Sequence, residues 1–137
     1  MRRNLPITGR EHRLASDATL VSVTDLKGRI VYGNAAFVAA SGYALDELLG
    51  QPHSIVRHPD MPAEGFRDLW ATIESGRPWT ALVKNRRKNG DHYWVVANAT
   101  PMRSGERIVG YLSVRSVPPR EQVAAAEALY ARMRAEE

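Results

Sequence analysis

His53 and His58 stand five residues apart, without the i, i+4 spacing and intervening glutamate of a helical zinc-protease site. The chain also lacks a G-x-S-x-G elbow and a phosphate-binding glycine loop, which argues against hydrolase, zincin and kinase chemistry. Cysteine is absent, and this excludes disulfides, thiol catalysis, Cys-ligated zinc, iron–sulfur clusters and photochemistry through a cysteinyl adduct. The constellation that could hold a ligand is Arg57-His58-Pro59-Asp60. It sets two side chains able to carry positive charge beside a predicted helix start, where backbone N–H groups and the macrodipole favour an anion such as phosphate. The same residues would also suit a solvated loop, with Asp60 capping the helix and Arg57 meeting a surface carboxylate. The basic run Arg86-Arg87-Lys88 adjoins a turn and reads as a solvated edge rather than a nucleic-acid contact.

The elements that must position these residues follow from periodicity. Leu20 to Thr24 and Arg29 to Tyr32 are β-branched runs flanking the turn Asp25-Leu26-Lys27-Gly28, a hairpin. Asn34 is a suitable N-cap for a helix over 35–40 that stops at Gly42, and a second short helix spans 45–49 before Gly50. A longer helix follows, with Asp60 as its cap, Pro62 in its first turn, and Phe66, Leu69, Trp70 and Ile73 on one stripe. From Trp79 the period becomes two: strands over 79–88, 92–102 and 108–117, the first pair joined by the hairpin turn Asn89-Gly90. The fold class is therefore α+β, a five-stranded antiparallel sheet with short helices covering one face. Residues 1–18 form a loose N-terminal cap with one helical turn and partial disorder, and 118–137 a C-terminal helix or linker with Val123, Ala126, Tyr130 and Met133 on one stripe.

Strand parity turns Trp79, Ala81, Val83 and Asn85 to one side, and Val83 marks that side as inward. A buried amide at Asn85 needs a partner, which a backbone group or a bound ligand could supply. Ala97 and Ala99 on the next strand are small and leave space beneath the helices, to be filled by Trp79, Trp70 or Phe66 or by a ligand.

The chain has 137 residues, 44% apolar and 25% charged, enough for one domain with its own core. A net charge of +4 is too mild and dispersed to imply nucleic acid, and no apolar run approaches a membrane span or a secretory signal. These features imply a soluble, intracellular chain. Its end in a charged helical pattern without a breaker implies a piece of a longer protein.

Thr24-Asp25-Leu26-x-Gly28-x-Ile30, Asn34-x-x-Phe37, Ser41-Gly42-Tyr43 and Glu47-Leu48-Leu49-Gly50 resemble the opening half of a PAS domain. Arg86 to Trp94 with Pro101-Met102 resembles its closing half, so that the resemblance covers about 19–117. More narrowly, Val56 to Pro62 and Pro78-Trp79 followed by Val83 to Trp94 resemble the PAS domains of bacterial aerotaxis receptors. The resemblance implies non-covalent FAD, redox sensing without enzymatic activity, and a signalling region of the same receptor as partner, with a homodimer as a further assembly. It also implies a cytoplasmic module of a membrane-anchored receptor. Asn34, Arg57, His58 and Asp60 match family positions needed for FAD binding or signalling, and Trp79 and Asn85 match those nearest the flavin ring. The alternatives are a cofactor-free PAS domain used for dimerisation or docking, and a haem PAS domain with histidine axial ligands.

Alignment with light-oxygen-voltage flavin domains places their adduct-forming cysteine at His53, their second flavin-contacting asparagine at Val95 and their signalling glutamine at Arg115. Illumination of flavin-loaded protein is accordingly expected to give no stable flavin–protein adduct. A dark-reversible absorption species typical of a thiol adduct would contradict this.

Overall fold

The first turn is made by a side chain. Asp25 Oδ1 accepts the backbone N–H groups of Lys27 and Arg29, each at 2.9 Å, and its other oxygen takes Arg29 Nε at 2.7 Å. Arg29 is thereby drawn into the turn, so β1 is Leu20–Thr24 and β2 begins one residue later than its pattern suggests, at Ile30–Gly33. The computed structural model describes residues 4–137; the first three residues of the expected N-terminal cap lie outside the described residues.

Three helices and a 3-10 turn then cross the sheet: α1 (Ala35–Ser41), α2 (Leu45–Leu48), the 3-10 turn His53–Val56, and α3 (Ala63–Glu74). Strands β3 (Trp79–Arg86), β4 (His92–Ser104) and β5 (Arg107–Ser116) complete the sheet, in the order β2-β1-β5-β4-β3 with every pairing antiparallel. The register sets Trp79 opposite Ala99, Val83 opposite Val95, Asn85 opposite Tyr93 and Ala97 opposite Arg115. These residues share one face, as the alternation requires. Between that face and the helices lies a core of Leu20, Ile30, Phe37, Leu48, Tyr93 and Val95, all fully buried.

Three expectations are corrected. Asp60 does not cap α3: Pro62 holds the N-cap position, and the Asp60 carboxylate is bound to Lys84 Nζ at 2.8 Å. The short helices cover one face as expected, and the C-terminal helix α4 (Arg120–Ala135) lies on the other, where Val123 and Ala126 pack on Trp94 and the Tyr130 hydroxyl donates to Leu82 O. The basic run is only in part a solvated edge: Arg86 Nε donates to Pro6 O and Arg87 Nε to Ala40 O, while Lys88 stays exposed in a surface ion pair with Glu47. Finally, residues 4–18 contain no helix and run beside β4. Thr8 N donates to Gly90 O, His92 N to Arg10 O and His12 N to His92 O. Gly90 permits this approach: its φ is 99°, and a Cβ there would meet Pro6 O at 2.8 Å.

Asn34 joins α1 to the sheet. Its Oδ1 accepts Phe37 N at 2.9 Å and Val21 N at 3.0 Å, and its Nδ2 donates to Thr19 O at 3.0 Å. Replacing Asn34 with Ala should lower unfolding free energy by about 2 kcal/mol in urea titrations. Asn34→Asp, which keeps both accepting bonds, should cost less; equal losses would remove the cap from the account.

Candidate functional site

The small residues of β4 do leave space. A cavity of about 690 Å³ lies between the inner sheet face and α3, with Val83, Asn85, Ala97, Ala99 and Arg115 on its floor. Its opposite wall is the apolar stripe of α3, Phe66, Leu69, Trp70 and Ile73, and the 3-10 turn closes one side with His53 and Val56. The volume falls in the range of sites for small organic ligands. Trp70 meets Tyr111 edge-on at 5.8 Å, and the half-buried Trp79 donates its indole N–H to Asp68 Oδ2 at 2.8 Å. Both indoles are thus held at the cavity edge by α3 and the sheet rather than filling the space.

The floor carries a charge. Arg115 is 3% exposed, and no salt bridge among the described residues neutralises it. Its Nη2 donates to Ser22 Oγ at 2.8 Å and to His53 Nε2 at 2.7 Å, while its Nη1 is buried without a hydrogen-bond partner. Burial lowers the Arg115 pKa to about 10, which still leaves the guanidinium charged at neutral pH. Burial, reinforced by the Arg115 charge, pushes the His53 pKa down to about 3. His53 is therefore neutral, and its Nε2 accepts from Arg115, with the Ser22 hydroxyl 3.0 Å away. On the same sheet face the Tyr93 hydroxyl is fully buried, and burial raises its pKa to about 12, with the Arg115 charge and Asn85 opposing. The cavity thus offers apolar walls and a polar edge at Arg115 and Asn85, an arrangement suited to a flat ligand with polar groups along one side.

Of the six residues singled out from the sequence, Arg57, Trp79 and Asn85 line this cavity, whereas Asn34, His58 and Asp60 do not. The separation of Arg57 from His58 has a simple cause. Arg57 is extended and forms an isolated antiparallel bridge with Asn85, so consecutive side chains point to opposite sides. Arg57 faces the rim, its guanidinium 3.6 Å from the centre of the Phe66 ring. His58 turns away and is buried: its Nδ1 accepts Asp60 N at 3.0 Å, and its ring meets His92 edge-on at 5.8 Å. Burial, then the Lys84 charge, lowers its pKa to about 4, so His58 brings no positive charge to the rim at neutral pH. Asp60 follows it to the outer side, beneath α4. Asn34 sits at the α1–β1 junction as a cap.

His53, Ser22 and Arg115 were not among those six. The alignment with flavin domains marks His53 and Arg115, and parity adds a second signal, because what turns Ala97 inward turns Arg115, its cross-strand partner, to the same face. Asn4 was also unforeseen. Its Nδ2 lies 2.8 Å from Ser54 O and 2.8 Å from Arg57 O, fastening the N-terminal segment to the loop that carries His53 and Arg57.

Comparison with known proteins agrees with this architecture. The chain is 54% identical over 124 residues to the aerotaxis receptor of Escherichia coli K12, a match spanning 90% of this chain and 24% of the receptor. It is 33% identical over 82 residues to the nitrogen fixation regulatory protein of Klebsiella oxytoca, spanning 60% of this chain and 17% of that protein. Among solved structures, one described as "Flavin Analogue Sheds Light on Light-Oxygen-Voltage Domain Mechanism" superposes with a TM-score of 0.71 at 25% identity, covering 87% of this chain and 89% of that one. The chain thus spans about a quarter or less of the length of these two relatives. Among the described residues no helix is long and apolar enough to cross a membrane. The PAS-fold family model matches residues 10–115, the span that carries the five strands, α1 to α3 and the cavity between them, and the chain therefore belongs to the PAS family.

Proposed function

We propose that this PAS domain is a sensor that holds FAD non-covalently in the cavity and reports redox state to a signalling region of a larger, membrane-anchored receptor, from the cytoplasmic side. The observation that carries the reading is the cavity floor: a buried guanidinium with no counter-charge among the described residues, whose Nη1 has no hydrogen-bond partner, beside the Asn85 amide. Such groups are costly to bury unless a ligand supplies acceptors. The similarity to the aerotaxis receptor and to a structure described in connection with a flavin analogue supports the same ligand class.

The residues fit the group. Ala97, Ala99 and Val83 on one side and Phe66, Leu69 and Ile73 on the other would receive a flat ring, with Arg115 and Asn85 toward its polar edge. Arg57 at the rim would meet phosphate. A flavin takes up electrons and protons on its ring, so its redox state changes the charge presented to its surroundings. Arg115 is placed to respond: its hold on Ser22 of β1 and on His53 of the 3-10 turn competes with its attraction to charge in the cavity. The 3-10 turn is gripped by Asn4, which gives that competition a route to the N-terminal segment. Haem suits the site less well, because His53 is the one histidine in the cavity wall and its Nε2 is engaged by Arg115.

Purified protein should show flavin absorption, or gain it on reconstitution with FAD, with FAD preferred over FMN. Arg57→Ala should weaken FAD by about 1.5–3 kcal/mol, the size of a charge-assisted hydrogen bond. Failure to take up any flavin would leave the cofactor-free PAS reading, and a Soret band the haem one. Arg115→Leu should shift the flavin midpoint potential roughly 40–130 mV more negative, equivalent to about 1–3 kcal/mol per electron, with Arg115→Lys shifting it less. Apoprotein melting should stay level or rise, because the variant removes a buried charge without a partner. An unchanged potential would separate Arg115 from the sensor chemistry.

A further inference from the structure

The last turns of α4 run past β3 to the rim of the cavity. Tyr130 donates to Leu82 O at 2.6 Å, Arg134 Nη1 donates to Asp60 O, and Glu137 Oε1 accepts the Ala63 N–H at 2.7 Å. Ala63 is the first residue of α3 and lines the cavity with Arg57 and Phe66. The Glu137 charge also acts on Arg57, partly opposing the effect of that residue's burial. A carboxylate of the chain itself therefore stands where a helix-start N–H and a guanidinium converge at the cavity mouth. An N–H taken by a carboxylate at 2.7 Å is not open to a second anion.

We infer that the tip of α4 is an autoinhibitory strap, in which Glu137 and the phosphate-bearing tail of a ligand in the cavity compete for the rim at Ala63 and Arg57. The inference rests on the flavin reading above and adds a mode of regulation to it. A ligand that fills the cavity without an anionic tail leaves the strap docked, and one that carries a tail releases it. The coupling is reciprocal, so anything that pulls the α4 tip away strengthens binding of the tailed ligand. Release stays local, because the start of α4 is held independently: Arg120 grips the Glu11 carboxylate with two bonds, of 2.6 and 2.8 Å.

The test compares the wild-type chain with Glu137→Gln, which removes the charge and keeps the shape. Calorimetric titration with FAD and with riboflavin, which has the ring but no phosphate, should show Glu137→Gln binding FAD about 3–10-fold tighter and riboflavin unchanged. In the wild type, FAD should speed tryptic cleavage after Arg132 and Arg134 several-fold, and riboflavin should not. Equal shifts for both flavins, no shift for either, or cleavage indifferent to FAD would overturn the strap while leaving the flavin reading intact. Binding of neither flavin by either protein would overturn both.

Discussion

A guanidinium buried without a carboxylate is the constraint around which the inner face of this domain is arranged. Taking Arg115 out of water costs several kcal/mol unless its N–H groups are satisfied, and the fold satisfies only part of it. Ser22 on β1 and His53 on the 3-10 turn accept from one nitrogen, and the Phe37 ring lies 5.0 Å from the guanidinium carbon. His53 can play this part only as a neutral imidazole, and the same burial and the same cation keep it neutral. Its Nη1 has no hydrogen-bond partner, so the charge at the cavity floor is only partly satisfied. One residue thus carries both a burial cost and an unsatisfied charge at the cavity.

The cavity exists because β4 places alanines where larger residues would have filled the space under α3. Ala97 and Ala99 lie below a helix whose aromatic residues are engaged elsewhere: Trp70 on Tyr111, and Phe66 beneath the Arg57 guanidinium. A fully packed alternative would gain dispersion contacts and lose the cavity. Both ends of the chain are then recruited to the periphery of this site. Asn4 grips the backbone of the 3-10 turn, and α4 passes over Trp94 to reach the start of α3. The segments nearest the termini are thus in direct contact with the loop and helix that line the cavity, and the distance from site to exit is a few hydrogen bonds.

Much of this was legible in the residues. The hairpins at Asp25–Gly28 and Asn89–Gly90, the Asn34 cap, the inward parity of Trp79, Val83 and Asn85, and the space left by Ala97 and Ala99 follow from local chemistry: turn propensity, capping and a period of two act over a few neighbours. What the sequence alone determined is therefore the order of elements, the α+β class, the absence of any thiol chemistry, and which strand faces look inward. Local pattern could not say what lies across from a given side chain. Whether Asp60 caps a helix or binds Lys84, and whether the basic run Arg86-Arg87-Lys88 faces water or backbone carbonyls, depended on segments 24 to 80 residues away in the chain. So did the division of Arg57 from His58, because the alternation that separates them begins only when Arg57 pairs with Asn85. Tertiary structure alone decided these points, since a charged side chain takes its partner from whatever long-range packing brings within hydrogen-bond reach, and propensity carries no record of that.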